Sequence, residues 1–381
     1  MQNNFTIRPT PNAQRPTPNA QRPTPNAQRP TPNAQRCYCA LKPNETLERI
    51  HVALALYDPS GNYSQNAGVV ITSIFQHTHN PVTIHILHDE TLTQDNRNKL
   101  IKTAENFSQT LEFIDITEHE KRISESIKHI SGQWTVGALY RMFIPEALPA
   151  LDKIIYIDCD IIVNLDINEL WSIDLENKSI AGVLDRVHSQ KFLSELSLHV
   201  EFLGCNRTQY INSGVTVMNL KKIRERGDFS KIILEWLMYY RHMPLFPDQD
   251  AINSVFESDK KFIDPRFNVY DLLNKDLDLS HCIMHMYAVP KPWKVFTGAA
   301  HEKLYWNTFL AAEWGRDITH SELIDILADK TTANIDLLTE RLNKPLLQRI
   351  FASFKYRVIN KIPVLNLIKY TWFWIRHKFS H

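Results

Sequence analysis

Two aspartates interrupt a long apolar segment in the middle of the chain. The segment runs from Lys153 to Val163, and Asp158-Cys159-Asp160 lies within it. Carboxylates are costly to bury unless they are paired or bind a metal ion. In an extended chain, residues i and i+2 point the same way, so both carboxylates can face one hard divalent cation such as Mn2+ or Mg2+. The alternative is a tight Asp-x-Asp turn at the end of a strand.

A histidine and a lysine farther along the chain could join such a site. His285 lies in the apolar run Cys-Ile-Met-His-Met-Tyr, where a histidine is either a metal ligand or a core residue with satisfied hydrogen bonds. Lys291 lies between two prolines, which restrain its backbone, and is either a phosphate contact or a solvated loop lysine. His281 precedes the apolar run and is expected on a loop, outside the site.

A second acidic motif stands at a predicted helix start. Asp248-Gln249-Asp250 follow Pro247 and precede a helix predicted over Ala251–Phe256. Aspartate at a helix N-terminus commonly accepts hydrogen bonds from free backbone N–H groups. We therefore expect one of the two aspartates to act only as a cap and the other to be available for chemistry.

Alternating strands and helices must position these side chains. The predicted strands are His51–Tyr57, Val82–His88, Leu111–Ile116 and Lys153–Asp158. The predicted helices are Tyr63–His77, Thr93–Phe107 and Thr135–Leu148. This alternation predicts an α/β fold with a largely parallel sheet that helices cover on both faces. Ligands of such folds bind beyond the carboxyl ends of the strands, which is where Asp158 is expected.

Several short motifs occur together in one order along the chain. They are Asp58 with Asn62-Tyr63, Leu139-Tyr140-Arg141, Tyr156-Ile157-Asp158-Cys159-Asp160, Asn212-Ser213-Gly214-Val215, Asp248-Gln249-Asp250, and His285 followed by Lys291-Pro292-Trp293. In this combination the chain resembles glycosyltransferase family 8 over about residues 48–300. That family includes retaining lipopolysaccharide galactosyl- and glucosyltransferases and glycogenin. The resemblance implies the GT-A nucleotide-diphospho-sugar transferase fold, a Rossmann-like mixed sheet flanked by helices.

The resemblance also implies roles for individual residues. It implies that Mn2+, or Mg2+ in its place, is held by Asp158, Asp160 and His285. It implies that a UDP-sugar is bound by Asp58, Asn62, Tyr63, Arg141, Asp158, Asn212 and Lys291. Among these, Tyr63 would stack on uracil and Lys291 would contact the diphosphate, while the catalytic positions would be Gln249 and Asp248. The loop from Asp58 to Tyr63 looks longer than the family's usual loop, which leaves the residue that contacts uracil open.

The implied reaction moves a hexose, galactose or glucose, from UDP to an oligosaccharide or lipid-linked sugar acceptor in lipopolysaccharide or surface-glycan synthesis. The anomeric configuration would be retained. We expect a same-face attack in which Gln249 stabilises the oxocarbenium-like centre, and a covalent intermediate on Asp248 is the alternative.

Other classes of protein predict features that the sequence can be searched for. A sugar-nucleotide pyrophosphorylase or a phosphotransferase on a similar sheet would need a glycine-rich phosphate loop. The chain has 10 glycines and no G-x-x-x-x-G-K segment. A non-catalytic carbohydrate- or membrane-binding relative would be expected to have lost Asp158, Asp160 or His285, and all three are present.

The composition fits a folded protein that does not bind nucleic acid. Of 381 residues, 43% are hydrophobic and 22% charged, and the formal net charge is +1. The five cysteines are irregularly spaced and suggest neither a disulfide framework nor a zinc site, which fits a reducing compartment. Neither a secretory signal nor an apolar run of the roughly 18 residues that span a bilayer is found. These features predict a cytoplasmic protein.

The two ends of the chain differ from its centre. Residues 1–46 contain four copies of Arg-Pro-Thr-Pro-Asn-Ala-Gln and are predicted to form a disordered tail, because such repeats bury too little apolar surface to offset their ordering entropy. Residues 47–300 are assigned to the catalytic domain and 301–344 to accessory helices. Residues 345–381 are rich in basic and aromatic side chains, which suits an anionic membrane surface. We expect peripheral attachment to the inner face of a bacterial membrane, with a helix packed on the catalytic domain as the alternative for this segment.

Overall fold

A seven-stranded mixed sheet forms the centre of the structure. The computed structural model describes residues 47–121, 135–185, 195–240, 244–270, 272 and 277–343. The strands of the sheet are β1 (Ile50–Leu56), β2 (Val82–His88), β3 (Thr110–Asp115), β4 (Lys153–Ile157), β6 (Ile180–Leu184), β7 (Ile211–Asn219) and β8 (Lys260–Phe262). Their order across the sheet is β3-β2-β1-β4-β7-β6-β8. Strand β7 is antiparallel to both neighbours and the other neighbouring pairs are parallel, as the predicted fold class requires.

Helices follow the strands and pack on both faces of the sheet. The α-helices are α1 (Ser64–His77), α2 (Gln94–Asn106), α3 (Ile144–Ala147), α4 (Asn168–Trp171), α5 (Glu195–Phe202), α6 (Leu220–Glu225), α7 (Phe229–Tyr240), α8 (Pro247–Val255), α9 (Ala300–Ala311) and α10 (His320–Asn343). Short 3-10 helices cover Val136–Phe143, Arg207–Gln209, Pro265–Phe267 and Met286–Ala288. None of the helices in the described part of the chain is long and apolar enough to cross a membrane.

Alternate side chains of β1 enter two different hydrophobic clusters. Val52 and Leu54 pack in the cluster that contains Ile71 of α1. Ala53 points to the opposite face and packs in the cluster that contains Phe143. Period-two alternation therefore places apolar residues on both faces of a buried strand. Each fully buried large apolar side chain contributes about 1.5–3 kcal/mol to this packing.

The continuous helix predicted over Thr135–Leu148 is wrong in part. The structure has a 3-10 helix over Val136–Phe143 and only then one turn of α-helix. Pro145 has no N–H and cannot donate to the carbonyl of Arg141, which instead accepts from Ile144 N. Arg141 therefore lies in the last turn of a 3-10 helix, directly before the α-helical turn that contains Pro145.

A separate antiparallel pair of strands carries a histidine to the aspartates. Strand β5 (Ile161–Asn164) begins directly after Asp160, and β9 (Cys282–His285) pairs with it. The register places His285 opposite Ile161. On the main sheet, the Asp158 N–H donates to the Gly214 carbonyl of β7 at 2.9 Å. These two pairings bring β4, β5, β7 and β9 to a common point.

Two of the predicted regions lie outside the described residues. They are the repeat tail, residues 1–46, and the basic aromatic segment, residues 345–381. Helices α9 and α10 fall within or beside the range 301–344 that the sequence assigns to accessory helices. The division of the chain into these regions stays a prediction.

Candidate active site

Asp158, Asp160 and His285 lie together at the carboxyl end of β4. One ligand atom from each of the three lies within 4.8 Å of the other two. The His285 Nε2 atom is 3.2 Å from Asp160 Oδ1 and 3.8 Å from Asp158 Oδ2. Among the described residues, this is the one group of three or more His, Cys, Asp or Glu side chains close enough to hold an ion together. The sequence-predicted convergence of these three side chains is therefore present in the fold.

The protein holds one oxygen of Asp158 and leaves the other facing His285. Arg141 Nη2 and the Tyr156 hydroxyl each donate to Asp158 Oδ1 at 2.7 Å. The Arg141 guanidinium also lies over the Tyr156 ring, 4.3 Å from its centroid, and its pKa is raised because Asp158 and Asp248 outweigh the effect of burial. Asp158 is thereby oriented by an arginine that is itself immobilised.

Asp160 divides its two oxygens in the same way. Lys291 Nζ donates to Asp160 Oδ2 at 2.5 Å and to the Met286 carbonyl at 2.8 Å, which leaves Oδ1 facing His285. Burial alone would raise the pKa of Asp160, but His285 and Lys291 more than offset it and lower that pKa below its ordinary value. Asp160 is therefore a carboxylate at neutral pH, as a metal ligand must be.

Gly214 supplies the space between these groups. A β-carbon at position 214 would lie 2.7 Å from Asp158 Oδ2, a distance that real contacts essentially never show. The donor set around this space, two carboxylates and one imidazole, suits Mn2+ or Mg2+. The residues present thus fit a divalent cation by both chemistry and shape.

The three side chains line a cavity of about 560 Å³, a size typical of small-molecule sites. Of the residues that the sequence proposes for the site, all but two line it: Tyr63, Arg141, Asp158, Asp160, Asn212, Asp248, Gln249, His285 and Lys291. Tyr63 lies at the N-terminus of α1, and its ring meets Trp293 edge-on at 6.4 Å. His281, which the sequence places outside the site, is on the surface with Nε2 3.1 Å from Glu169.

Asp58 and Asn62 are the two residues that the fold does not bring into the cavity. Asp58 is buried and caps α1: its Oδ1 accepts from Tyr63 N at 2.7 Å, and its Oδ2 accepts from Ser64 N at 2.9 Å. Asn62 is exposed and donates to the Ser60 carbonyl. Their expected roles beside the base are not supported by these positions. The loop uses Asp58 to start the helix, because free N–H groups there need an acceptor.

The two aspartates of the acidic motif in α8 lie in different surroundings. The helix begins at Pro247, earlier than predicted, so Asp248 and Gln249 lie in its first turn. Asp248 faces the cavity, where its Oδ2 accepts from Ser213 Oγ at 2.8 Å and lies 3.3 Å from Arg141 Nη1. Burial and the nearby Asp158 raise the pKa of Asp248, and Arg141 opposes this shift.

Asp250 is the structural member of the same motif. It is fully buried, and its carboxylate accepts from the Tyr210 hydroxyl at 2.5 Å and from Leu245 N and Phe246 N at 3.0 Å. These contacts fix the loop before α8, and Phe246 of that loop lines the cavity. Of the two aspartates, Asp250 thus accepts hydrogen bonds from the backbone at the start of α8, and Asp248 faces the cavity.

Sequence reasoning missed several side chains of the cavity wall. Asp185 directly follows β6, and its Oδ2 accepts from Asn212 Nδ2 at 2.9 Å and from Gln249 Nε2 at 3.4 Å. An aspartate at the end of an apolar strand is the signal that led to Asp158, and it could have identified Asp185 as well. Tyr57, which directly follows β1, and Tyr287, which follows β9, also line the cavity.

Comparison with known proteins shows the family of this chain. The model of the family described as Glycosyl transferase family 8 matches residues 54–296, which is more than half of the chain. The chain belongs to glycosyltransferase family 8. All residues that converge at the cavity lie within the matched region.

Relatives of this family 8 protein include enzymes of lipopolysaccharide synthesis. The lipopolysaccharide 1,2-glucosyltransferase of Escherichia coli (strain K12) is 26% identical over 288 residues, which are 71% of this chain and 81% of that protein. General stress protein A of Bacillus subtilis (strain 168) is 23% identical over 277 residues, 66% of this chain and 91% of that protein. A Haemophilus influenzae relative is 28% identical over 207 residues, and the match spans 54% of this chain and 60% of that protein's length.

A solved structure with the same fold is that of the galactosyltransferase LgtC in complex with donor and acceptor sugar analogues. It superposes with a TM-score of 0.59 and 21% identity, over 74% of this chain and 100% of that chain. The family 8 chain therefore has the GT-A fold that its motifs imply.

Proposed function

We propose that this protein is a metal-dependent retaining hexosyltransferase. It would move galactose or glucose from a UDP-sugar to a sugar acceptor in the synthesis of lipopolysaccharide or another surface glycan. The observation that carries the proposal is the convergence of Asp158, Asp160 and His285 on the wall of one large cavity. The E. coli relative, a lipopolysaccharide 1,2-glucosyltransferase, and the galactosyltransferase LgtC, which has the same fold, support the substrate class.

The proposed metal ion, Mn2+ or Mg2+, would neutralise charge on the diphosphate of the donor. Asp158 and Asp160 are held ready by Arg141 and Lys291, so little reorganisation is needed when an ion enters. The Lys291 ammonium stands beside Asp160 on the wall of the cavity, where it can also approach a phosphate oxygen. We therefore assign Lys291 a second task, the stabilisation of the leaving UDP.

For the transfer itself we propose attack from the face that the diphosphate leaves. The anomeric C–O bond breaks with its electron pair passing to the β-phosphate oxygen, the acceptor oxygen bonds to the anomeric carbon, and its proton passes to the leaving phosphate. Gln249 would face the developing positive charge with its Oε1, which is oriented by the Ser213 N–H at 3.0 Å. Asp248 is paired with Arg141 and Ser213, which weakens it as a nucleophile.

The test of this mechanism is mass spectrometry of the enzyme with a slow donor, together with Asp248→Ala. We expect no glycosyl adduct on Asp248 in the wild-type protein. Loss of all activity in Asp248→Ala, combined with an adduct on Asp248 in wild type, would establish a covalent intermediate and overturn same-face attack.

The test of the overall function is UDP release from a panel of UDP-sugars, with Mn2+, with Mg2+ and with a chelator. We expect release from UDP-galactose or UDP-glucose that the chelator abolishes. Asp158→Asn, Asp160→Asn and His285→Ala should lose at least about 100-fold in rate. His281→Ala is the matched control, because this histidine lies on the surface near the start of the same strand. Equal rates with and without chelator, or in His285→Ala and wild type, would refute the metal-dependent reaction.

The alternative is a non-catalytic relative that binds carbohydrate or membrane. It predicts that UDP-sugar binds, as measured by calorimetry, but that UDP is not released with any acceptor tested. The presence of Asp158, Asp160 and His285 together, with both carboxylates already oriented, favours an enzyme over a non-catalytic protein.

Peripheral attachment to the inner face of the membrane stays a proposal from the sequence of residues 345–381. The interleaved basic and aromatic side chains of this segment suit an anionic lipid surface. The test is sedimentation with anionic vesicles. The full chain should pellet with them, and a chain lacking residues 345–381 should stay in the supernatant. Equal pelleting of both would refute membrane attachment through this segment.

A further inference from the structure

A buried asparagine stands directly behind the histidine of the proposed metal site. Asn268 follows the 3-10 helix Pro265–Phe267 and is 1% exposed. The next residue, Val269, joins β9 through backbone hydrogen bonds: its N–H donates to the Ile283 carbonyl, and its carbonyl accepts from His285 N, both at 2.8 Å. These bonds hold the Asn268 side chain against the imidazole, with Asn268 Oδ1 3.0 Å from His285 Nδ1.

The orientation of the Asn268 side-chain amide follows from the Gly214 N–H of strand β7. The Gly214 N–H lies 3.0 Å from the Asn212 side chain, and because a backbone N–H can only donate, the atom that it meets must be Asn212 Oδ1. The same Oδ1 lies 2.9 Å from the Asn268 amide, so the Asn268 atom that faces it must be the donor Nδ2.

The remaining atom of the Asn268 amide, Oδ1, must then face His285. An oxygen accepts, so the His285 Nδ1 atom beside it carries the proton. In a neutral imidazole the proton on one nitrogen leaves the other with a free lone pair, and here that atom is Nε2, which faces Asp158 and Asp160.

The opposite tautomer of His285, with hydrogen on Nε2, also has a hydrogen-bond acceptor beside it. Asp160 Oδ1 lies 3.2 Å from His285 Nε2 and would accept a proton there. An imidazole with hydrogen on Nε2 cannot use that nitrogen as a ligand. Two acceptors on opposite sides of the ring therefore compete for one proton, and only the proton on the Asn268 side leaves the imidazole ready to bind a metal ion.

We propose that Asn268 is a positioning residue that selects the metal-binding tautomer of His285, and that the Gly214 N–H sets the orientation of Asn268 through Asn212. This inference rests on the proposed metal site. Partners of this kind on the second nitrogen of a metal-binding histidine commonly strengthen metal binding by about 10- to 100-fold.

The chain offers substitutions that separate hydrogen bonding from packing. Asn268→Leu keeps a side chain of similar size and removes the acceptor. Asn268→Asp removes the amide donor to Asn212 but keeps an oxygen that can accept from His285 Nδ1. Asn80→Ala is the matched control, since Asn80 is also buried and bonded to a carbonyl, that of Glu48, and does not line the cavity.

The first measurement is the Kd for Mn2+ by calorimetry, without sugar nucleotide. We expect binding to weaken about 10- to 100-fold in Asn268→Leu, to stay within about threefold of wild type in Asn268→Asp, and to be unchanged in Asn80→Ala. Circular dichroism establishes that each variant is folded. Equal weakening in the Leu and Asp variants would mean that Asn268 serves packing only, and the proposal would be wrong.

The second measurement reads the tautomer directly from the 15N shifts of the histidine rings, with His285 assigned by the loss of its signals in His285→Gln. Wild type should show hydrogen on Nδ1 of His285, and Asn268→Leu should lose this preference. Hydrogen on Nε2 in wild type would overturn the inference whatever the metal affinity. If wild type binds neither Mn2+ nor Mg2+, the proposed metal site fails, and the ring shifts still decide the tautomer.

Discussion

Gly214 lies against His285 with no room for a side chain between them: a β-carbon on Gly214 would stand 2.8 Å from His285 Nδ1. Gly214→Ala must therefore displace the imidazole, the Asp158 carboxylate or strand β7. We expect the Kd for Mn2+ to rise at least about 10-fold, with about 1–3 kcal/mol lost in the free energy of unfolding. Calorimetry and urea denaturation measure the two effects.

The control for this substitution is Val217→Ala on the same strand. Val217 is fully buried in the core and does not line the cavity, so its truncation should lower stability and leave the Kd for Mn2+ unchanged. Normal metal binding by Gly214→Ala would show that the site can relax around an extra methyl group.

Arg141 should not be replaceable by lysine. Its guanidinium donates to Asp158 Oδ1 at 2.7 Å and to the Ser213 carbonyl at 2.8 Å, and it lies 3.3 Å from Asp248. A lysine ammonium cannot reach these groups in the same planar arrangement. We expect Arg141→Lys to lower kcat/KM about 10- to 100-fold, and Arg266→Lys, at a surface pair with Glu169, to have no effect. Unchanged kinetics in Arg141→Lys would argue against a positioning role.

Asp248 and Asp250 should respond differently to the same change. Asp250→Asn leaves a buried site with fewer acceptors for Tyr210 and the backbone before α8, so we expect the free energy of unfolding to fall by about 1–3 kcal/mol. Asp248→Asn should lower kcat by at least about 10-fold with a smaller change in stability, because its partners line the cavity. Urea denaturation and steady-state kinetics on both variants separate the two, and a reversed pattern would contradict the assignment.

Tyr57 offers a test of which aromatic ring meets the base. It lines the cavity at the end of β1, and its ring is braced edge-on by Tyr140 at 6.4 Å. If Tyr57 stacks on the base, Tyr57→Ala should raise KM for the donor by about 5- to 150-fold, given about 1–3 kcal/mol for stacking, while Tyr57→Phe stays near wild type. An unchanged KM would return the role to Tyr63, whose Phe and Ala variants should be measured beside these.

Stability should decline in mild acid because of His85, a buried histidine of β2 that does not line the cavity. Burial, and then the neighbouring His51, lower the pKa of His85 to about 4. In the unfolded chain this histidine takes up a proton near pH 6.5, but in the folded chain it stays neutral at that pH. The contribution of His85 to the free energy of unfolding is therefore fully present above about pH 6.5 and is lost as the pH falls towards 4. The Glu112 carboxylate lies 3.1 Å from His85 Nδ1, but the two groups do not form a hydrogen bond. This carboxylate is half-exposed and screened by solvent, so it does not reverse the lowering of the His85 pKa.

We expect the free energy of unfolding to fall by about 2 kcal/mol between pH 7 and pH 5 through His85, with a further loss in the same direction from His51, whose pKa burial also lowers. His85→Gln should remove most of this pH dependence, and the surface variant His281→Gln should retain it. Urea denaturation at several pH values gives the comparison. The same slope in His85→Gln and wild type would rule His85 out as the cause.

Much of the sheet could be predicted because its signals are local. Strand β2 has the predicted bounds, β1 is shifted by one residue at both ends, and α1 begins one residue later than predicted. The Asp158 and Asp160 pair could be found for the same reason, since neighbouring apolar residues and two-residue spacing reveal a strand end with two like-facing carboxylates.

Side-chain tasks were harder to predict where a residue type serves two purposes. The spacing could not distinguish Asp248 from Asp250, and it could not reveal that Asp58 uses both oxygens to cap α1. Asn268 carries no signal of its own, because a lone asparagine after Arg266-Phe267 reads as an ordinary turn residue.

The sequence by itself determined the alternation of strands and helices, the pair of aspartates at the end of β4 and, through its motifs, the family. Only the tertiary structure decided which distant side chains complete the site. His285 reaches Asp160 because β9 pairs with β5 in one register, and Asn268 reaches His285 through the backbone bonds of Val269. Such contacts depend on the pairing of segments far apart in the chain, and the energy of that pairing comes from burial and hydrogen bonds that local periodicity does not record.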